Sequence, residues 1–204
     1  MPAFDSILFD FDGVLADTEP IHCACWAEVL APQRIALEWA DYRQRFIGID
    51  DRLMLRMLAA ERNPQAVWDD LWSLYPAKKE LFRARMLAAP PLEPALRDLL
   101  DELDGRYTLA VVSSSSCSEI EPMLEAGGVR SYFRTVVGGE NVKHHKPAPD
   151  PYLLAAERLS VRAPLVVEDS EAGLASGRAA GFEVLAVPHP AEMLGLLRQR
   201  LAVS

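Results

Sequence analysis

Cysteine is scarce in this sequence of 204 residues, which contains only Cys23, Cys25 and Cys117. No two of them form a CxxC pair, and no histidine stands at the spacing that a zinc site requires. An odd number of cysteines in this arrangement does not predict a disulfide framework. We therefore expect reduced thiols, and neither a zinc site nor a nucleophilic cysteine.

Long apolar runs and clusters of basic residues are also absent. No apolar stretch approaches the roughly 18 residues of a membrane-spanning helix, and the first residues lack the basic and apolar regions of a signal peptide. The formal net charge is -9, and no run of lysine and arginine offers a surface for nucleic acid. We expect a cytoplasmic protein that binds neither membranes nor nucleic acid.

Short apolar runs predict the strands of a buried sheet. Half of the residues are hydrophobic, which is enough for a substantial core. The runs cover residues 6–11, 108–112, 135–137, 165–167 and 184–187, and each is followed by polar or turn residues. They are continuous rather than alternating, as is typical of parallel strands covered on both faces.

Helical stretches separate the later strands, at residues 117–126, 151–159, 172–180 and 191–201. Glycine follows the first and third of these stretches, as it often does at helix ends. The alternation predicts an α/β fold with a doubly wound, Rossmann-like parallel sheet. Such sheets bind ligands at the carboxyl ends of their strands.

One segment, from about residue 20 to residue 89, interrupts this alternation. It contains all four tryptophans and helical periodicity, including a predicted helix face over residues 68–75, but no convincing strand. We interpret the tryptophans as core packing, and the proline-rich residues 90–94 as a linker. The sequence thus predicts a core domain of residues 1–17 and 90–204 with an inserted α-helical domain of residues 18–89.

Polar residues follow the predicted strands at the edge where ligands bind. Asp10 and Asp12 follow the first run, Ser113 follows the second, and Glu168 and Asp169 follow the fourth. Because parallel strands end at one edge, these side chains should meet. Four carboxylates would repel one another without a divalent cation, and hard oxygen ligands favour Mg²⁺.

These residue types suit phosphoryl transfer. One of Asp10 and Asp12 can attack phosphorus to form an aspartyl-phosphate, while the other moves protons. Charge on the transferred group requires a metal, an ammonium and hydroxyl donors, which Asp169, Lys146 and Ser113 can supply. Each residue alone could be a turn residue, a helix cap or a solvated charge, so the prediction depends on their joint order.

Four motifs in this order resemble the haloacid dehalogenase superfamily of phosphohydrolases, in the branch with a helical cap after the first strand. The motifs are D-F-D-G-V-L-A-D-T-E from Asp10, V-V-S-S-S around Ser113, K-P-A-P-D-P-Y from Lys146 and E-D-S-E-A-G from Glu168. The resemblance covers nearly the whole chain. It implies that the strand after the insert and the strand before Asp169 flank the first strand on opposite sides.

The resemblance also implies roles for the residues in these motifs. Asp10 would be the nucleophile and Asp12 the general acid and base. Ser113, Ser114 and Lys146 would bind the phosphate.

Magnesium is the implied cofactor. The side chains of Asp10 and Asp169 and the backbone carbonyl of Asp12 would hold the ion, with Glu168 as a further ligand or just behind the ligands. Asp12 argues against halide chemistry, because a halide leaving group needs no proton.

The implied cap domain would close over the site and exclude water. Residues 17–26 are similar to those of β-phosphoglucomutases and sugar-phosphate phosphatases, where a histidine occupies the position of His22. In the loop that begins at Gly48, Arg52 lies near the position of a substrate-binding arginine, and Lys78 lies near that of a cap lysine. Alternatively, His22 packs on a helix face, and Arg52 and Lys78 are solvated helix charges.

We expect a phosphatase of a small phosphorylated metabolite, a sugar or sugar-acid phosphate. One alternative is a phosphosugar mutase of the β-phosphoglucomutase kind, and another is a non-catalytic binding protein on the same scaffold. His144 and His145, which precede Lys146, are either plain loop residues or tune its charge. We expect a monomer, because no apolar stretch is left over after the two domains are assigned.

Overall fold

The central sheet has parallel strands in the order β3-β2-β1-β4-β5 in the computed structural model, which describes residues 4–47, 49–61 and 68–202. The strands are β1 (Ser6–Phe9), β2 (Thr108–Val112), β3 (Phe133–Val137), β4 (Pro164–Glu168) and β5 (Glu183–Ala186). In the register of the sheet, Ser6 of β1 lies between Thr108 of β2 and Pro164 of β4. This order confirms the predicted doubly wound α/β sheet, with β2 and β4 on opposite sides of β1.

Buried strands form the centre of this sheet. Every residue of β1 and of β4 is buried, which explains the continuous apolar runs in the sequence. The prediction for the first strand is two residues too long. The backbone N–H of Asp10 still donates to Val167 at 2.9 Å, and the chain then turns away from the sheet.

Five helices accompany the sheet in the described part of the chain. They are α6 (Leu96–Leu103), α7 (Cys117–Ala126), α8 (Asp150–Leu159), α9 (Glu171–Ala179) and α10 (Pro190–Ala202). The last four agree with the predicted stretches to within one residue at each end. The sequence analysis missed α6, although its buried Leu96, Leu99, Leu100 and Leu103 have helical spacing.

The chain divides into two units, Met1–Asp17 with Ala89–Ser204, and Thr18–Ala88. We call the first the core unit and the second the inserted unit. The described helices of the inserted unit are α1 (Glu19–Leu30), α2 (Trp39–Arg45), α3 (Asp51–Ala60), α4 (Trp68–Trp72) and α5 (Tyr75–Ala88). No strand occurs in the parts of this unit that the structure describes.

The aromatic residues of the inserted unit have different environments. Trp26 is fully buried in the core of the unit, whereas Trp39 is 39% exposed, so the interpretation of all four tryptophans as core packing is wrong for Trp39. The predicted single helix face over residues 68–75 is also wrong, because α4 ends at Trp72 and α5 begins at Tyr75. The rings of these two residues nevertheless stack, with centroids 4.5 Å apart.

The cysteines are free thiols, as predicted. Cys23 and Cys25 are buried and Cys117 is half-buried, and in each case burial raises the pKa of the thiol above its usual value. A raised pKa keeps a thiol protonated and unreactive near neutral pH. None of the helices that the structure describes has the length and apolar character needed to cross a membrane.

Candidate active site

Asp10 stands at the carboxyl end of the central strand, where the chain makes a tight turn. Gly13 in this turn has a φ of +76°, a left-handed conformation that favours glycine. A Cβ atom at this position would lie 2.0 Å from Oδ2 of Asp169. Gly13 therefore lets the turn after β1 and the carboxylate after β4 approach each other.

Lys146 joins two carboxylates at this edge of the sheet. Its Nζ donates to Oδ1 of Asp10 at 2.6 Å, to Oε1 of Glu168 at 2.5 Å and to the carbonyl of Val112 at 3.0 Å. The lysine side chain is only 6% exposed. Since an ammonium group has three N–H donors, these contacts account for all of them and fix the position of Nζ.

Glu168 is fully buried and accepts several hydrogen bonds besides that of Lys146. Oε1 accepts from the hydroxyl of Tyr152 at 2.8 Å, and Oε2 accepts from the backbone N–H groups of Asp169 and Ser170 at 3.0 and 3.1 Å. A Cβ atom on Gly173 would lie 1.7 Å from Oε1, so this glycine allows α9 to pack against the carboxylate. These contacts hold Glu168 in one orientation.

The acidic groups form a compact cluster. Carboxylate oxygens of Asp10, Glu168 and Asp169 all lie within 4.8 Å of one another. Burial raises the pKa of Asp10 well above its usual value, the charges of Glu168 and Asp12 raise it further, and Lys146 opposes them. Burial and the charge of Glu168 likewise raise the pKa of Asp169 to about 7.

Lys146 stays charged in these surroundings. Burial of its ammonium lowers the pKa, but the neighbouring Asp10 and Glu168 outweigh this effect and raise it. The cluster therefore combines one ammonium with a larger number of carboxylates. Hard oxygen donors with an excess of negative charge suit a divalent cation such as Mg²⁺, so the residues present fit the implied cofactor.

The serine loop after β2 lies beside Asp12. Ser115 donates from its hydroxyl to Oδ2 of Asp12 at 3.4 Å, and its backbone N–H donates to the hydroxyl of the buried Ser113 at 3.1 Å. Ser114 is exposed between them. The sequence analysis named Ser113 and Ser114 but missed Ser115, which the serine run after the second apolar stretch could have indicated.

A second polar cluster lies in the inserted unit around Lys78, which is only 2% exposed. Its Nζ lies 2.7 Å from Nδ1 of His22 and 3.0 Å from Oδ2 of Asp51. The indole N–H of Trp26 donates to Oδ1 of Asp51 at 2.7 Å, and the ring of His22 stacks on Phe82. The alternative that Lys78 is a solvated helix charge is therefore wrong, and Asp51 is a partner that sequence reasoning missed.

Arg52 has different surroundings from Lys78. It is exposed on the first turn of α3, with its guanidinium 4.8 Å from the ring centre of Trp72. Its backbone N–H donates to the side chain of Asp50, which caps the helix. Gly48, at the beginning of the same loop, lies outside the described residues.

The two histidines before Lys146 do not accept its hydrogen bonds, which go to Asp10, Glu168 and the carbonyl of Val112. Nδ1 of His144 instead lies 2.8 Å from Oδ1 of Asp150 at the beginning of α8, and His145 is exposed.

Known proteins similar to this chain include hydrolases. The model of the haloacid dehalogenase-like hydrolase family matches residues 7–187. Fructose-1-phosphate phosphatase YqaB of Escherichia coli is 34% identical over 187 residues, which cover 90% of this chain and 96% of that protein. A phosphorylated carbohydrates phosphatase of Thermotoga maritima is 29% identical over 187 residues, covering 88% and 82% of the two chains.

A solved structure with the same fold contains a sugar bisphosphate. It is CbbY of Rhodobacter sphaeroides in complex with xylulose-(1,5)bisphosphate, which matches with a TM-score of 0.69 and 27% identity. The match covers 90% of this chain and 85% of that one.

Proposed function

The chain belongs to the haloacid dehalogenase-like hydrolase family, and from that membership we propose that it is a magnesium-dependent phosphatase of a small sugar or sugar-acid phosphate. The observation that carries this proposal is the contact of one buried lysine, Lys146, with both Asp10 and Glu168. The adjacent Asp169 completes a site that can balance phosphoryl charge. The names of the two similar phosphatases give phosphorylated carbohydrates as their substrates, which supports a sugar phosphate as the substrate class here.

Asp10 is the proposed nucleophile. Its carboxylate forms a bond to phosphorus, and the bond from phosphorus to the ester oxygen breaks. Asp12 gives a proton to the departing oxygen, so the alcohol leaves as a neutral molecule. The product of this first step is an aspartyl-phosphate on Asp10.

Hydrolysis of the aspartyl-phosphate reverses the role of Asp12. It takes a proton from a water molecule as the water oxygen attacks phosphorus, and the bond between phosphorus and Asp10 breaks. Inorganic phosphate leaves and both aspartates return to their first state. Ser115, which donates to Asp12, orients this acid and base in both steps.

The remaining residues of the site stabilise charge. Lys146 neutralises the carboxylate of Asp10 and the incoming phosphoryl group, and Ser113 and Ser114 supply donors from the loop after β2. Asp10, Asp169 and the backbone carbonyl of Asp12 would hold Mg²⁺, with Glu168 as a further ligand or as the anchor of Lys146. When bound, the ion supplies positive charge opposite the phosphoryl oxygens.

The inserted unit is proposed to act as a cap domain that selects the substrate. Its buried cluster of Lys78, His22 and Asp51 supports this role by holding the helices of the unit in place, because a buried lysine needs partners that compensate its charge. Arg52, which is exposed, is the proposed selecting residue.

Phosphate release tests the proposal directly. Fructose 1-phosphate and p-nitrophenyl phosphate should be hydrolysed with Mg²⁺ and not with a chelator, and Asp10→Asn should lower kcat by at least about 10³-fold. Asp104→Asn, a change at the exposed end of α6, is the matched control and should retain full activity. Equal rates for the protein with and without Asp10 would contradict the mechanism.

The product separates phosphatase from mutase activity. With β-glucose 1-phosphate and a trace of the bisphosphate, a phosphatase should release inorganic phosphate as its main product. Glucose 6-phosphate as the main product would instead mean that Asp10 returns its phosphoryl group to a sugar hydroxyl.

A further inference from the structure

Tyr152 is a fully buried tyrosine whose side chain contacts both partners of the ion pair between Lys146 and Glu168. Its hydroxyl donates to Oε1 of Glu168 at 2.8 Å, the same oxygen that accepts from Lys146 at 2.5 Å. The centre of its ring lies 5.2 Å from Nζ of Lys146, within the range of a cation–π interaction. The phenol thus touches the lysine with its face and the glutamate with its hydroxyl.

The fold holds Tyr152 firmly in this place. It lies in the first turn of α8 and belongs to a buried cluster that contains Leu8 of β1, Val112 of β2 and Val166 of β4. Packing against three strands fixes the ring, and the carboxyl ends of these strands are where the hydroxyl meets Glu168. The K-P-A-P-D-P-Y motif therefore begins with Lys146 and ends with Tyr152, which donates to Glu168, the counter-ion of that lysine.

The direction of the hydrogen bonds follows from the groups involved. An ionised carboxylate can only accept hydrogen bonds, so the hydroxyl of Tyr152 is the donor in its 2.8 Å contact with Oε1 of Glu168. Lys146 donates to the same oxygen of Glu168 and to Oδ1 of Asp10. The hydroxyl and the ammonium thus share one acceptor.

Sharing this acceptor limits how strongly Glu168 attracts the ammonium. Without the hydroxyl, Oε1 of Glu168 would be left to Lys146 alone, and Nζ would move toward Glu168 and away from Asp10. The carboxylate that the mechanism uses as nucleophile would then lose part of its charge compensation.

We propose that Tyr152 is a positioning residue whose hydroxyl, acting through Glu168, holds the Lys146 ammonium against Asp10. This inference rests on the proposed function, in which Asp10 is the nucleophile. Tyr152 itself touches none of the reacting atoms, so its loss should affect the chemical step more than substrate binding.

Tyr152→Phe is the first test, because it removes the hydroxyl and keeps the ring beside Lys146. We expect kcat to fall about tenfold while KM stays within about twofold of the wild-type value, as for a lost hydrogen bond to a charged group. Tyr132→Phe is the control, because that hydroxyl also donates to a carboxylate of the core unit, Asp101, on the exposed surface. The control should keep the wild-type kcat, and thermal unfolding should show that both variants are folded.

A double-mutant cycle tests whether Tyr152 acts through Glu168. In a Glu168→Gln background, Tyr152→Phe should cause no further loss of kcat, since its acceptor has already changed. A full additional tenfold loss in that background would overturn the inference, because the hydroxyl would then act by another route.

Chemical labelling measures how accessible Lys146 is, and it does not depend on enzymatic turnover. Acetic anhydride should acylate Lys146 at least about threefold more slowly in Tyr152→Phe than in the wild type, relative to the exposed Lys143 of the same molecule, because an ammonium drawn more strongly to the buried Glu168 is less accessible. An unchanged labelling ratio with an unchanged kcat would overturn the inference and leave the proposed function standing. If the wild type lacked turnover that depends on Asp10, the proposed function would fail, and the labelling ratio would still decide whether Tyr152 positions Lys146.

Discussion

Each unit of the protein buries one lysine in a polar cluster, and the two clusters differ in their charge balance. In the core unit, Lys146 contacts the carboxylates of Asp10 and Glu168, and Asp169 lies close by. In the inserted unit, Lys78 contacts the carboxylate of Asp51 and the ring nitrogen of His22. The core cluster has an excess of negative charge, whereas Lys78 and Asp51 compensate each other.

This difference in charge balance distinguishes a cluster that can bind a cation from one whose charges already compensate each other. An excess of buried carboxylates raises their pKa values and makes them receptive to a cation, as the raised pKa values of Asp10 and Asp169 indicate. A one-to-one ion pair with an indole N–H as a further donor needs no additional ligand. We therefore expect changes in the core cluster to alter activity and metal binding, and changes around Lys78 to alter stability.

The largest expected effect is that of Lys146→Met, which removes the compensating charge that contacts both Asp10 and Glu168. We expect kcat to fall about 10³-fold, comparable to the loss of an essential donor to developing charge. Lys143→Met, three residues earlier on the exposed surface, is the matched control and should leave kcat unchanged. A Lys146→Met variant with nearly normal kcat would remove the distinction between the two clusters.

Next in size is the effect of Gly13→Ala, which tests how closely the carboxylates of the core cluster must approach. The new Cβ would collide with Asp169, so we expect kcat to fall about 10²-fold, as for misplaced catalytic groups, with weaker Mg²⁺ binding. Gly105→Ala separates strain from collision, because Gly105 also has a positive φ of +72° but nothing lies within 4 Å of its Cβ position. That control should lose some stability and keep its activity; equal losses of activity in both variants would mean that backbone strain alone is responsible.

In the inserted unit, Lys78→Met should lower the free energy of unfolding by about 2–3 kcal/mol, because it leaves the carboxylate of Asp51 without its cation. The double variant Lys78→Met with Asp51→Asn should recover part of this loss, since the neutral amide still accepts from Trp26 and carries no unpaired charge. Chemical denaturation measures both values. Additive losses would show that Lys78 and Asp51 do not act as a pair.

The smallest expected effect is a dependence of metal stabilisation on pH. The pKa of Asp169 is raised to about 7 in the folded protein from 3.8. Its contribution to the stability of the metal-free protein is thus present in full below pH 3.8 and is lost as the pH rises through 7. Because Mg²⁺ competes with this proton, it should raise Tm by a few degrees more at about pH 8 than at about pH 5.5.

Asp169→Asn is the control for this pH effect, because an amide does not titrate. The variant should lose most of the difference between the two pH values. If wild-type protein gains the same Tm from Mg²⁺ at both pH values, the acid cluster does not bind the ion in competition with protons.

Local sequence patterns predicted most of the core unit. The continuous apolar runs at residues 108–112 and 165–167 lie in parallel strands, because burial on both faces leaves a clear compositional pattern. The alternation with helices then restricts the topology to few possibilities. The prediction was poorer for α6, whose four leucines follow a proline-rich stretch that we interpreted as a linker.

The candidate site was predictable only as a set of positions. Motif order singled out Asp10, Lys146 and Asp169, which the structure brings together at one edge of the sheet. The partners that orient these groups carried no comparable pattern. Ser115 stands in a serine run that marks it as a candidate, but the run does not indicate its contact with Asp12 across 103 positions of the chain. Nothing in the local sequence around Asp51 indicates its contact with Lys78 across 27 positions.

By itself, the sequence determined the class of fold and the residue types available for phosphoryl transfer, because burial and turn chemistry are local requirements that leave local patterns. Only the tertiary structure decided that Lys146 reaches Asp10 across 136 positions, that Tyr152 shares the acceptor of that lysine, and that Lys78 is buried. The physical reason is that a side-chain contact between distant segments depends on strand register and helix packing, to which many residues contribute at once.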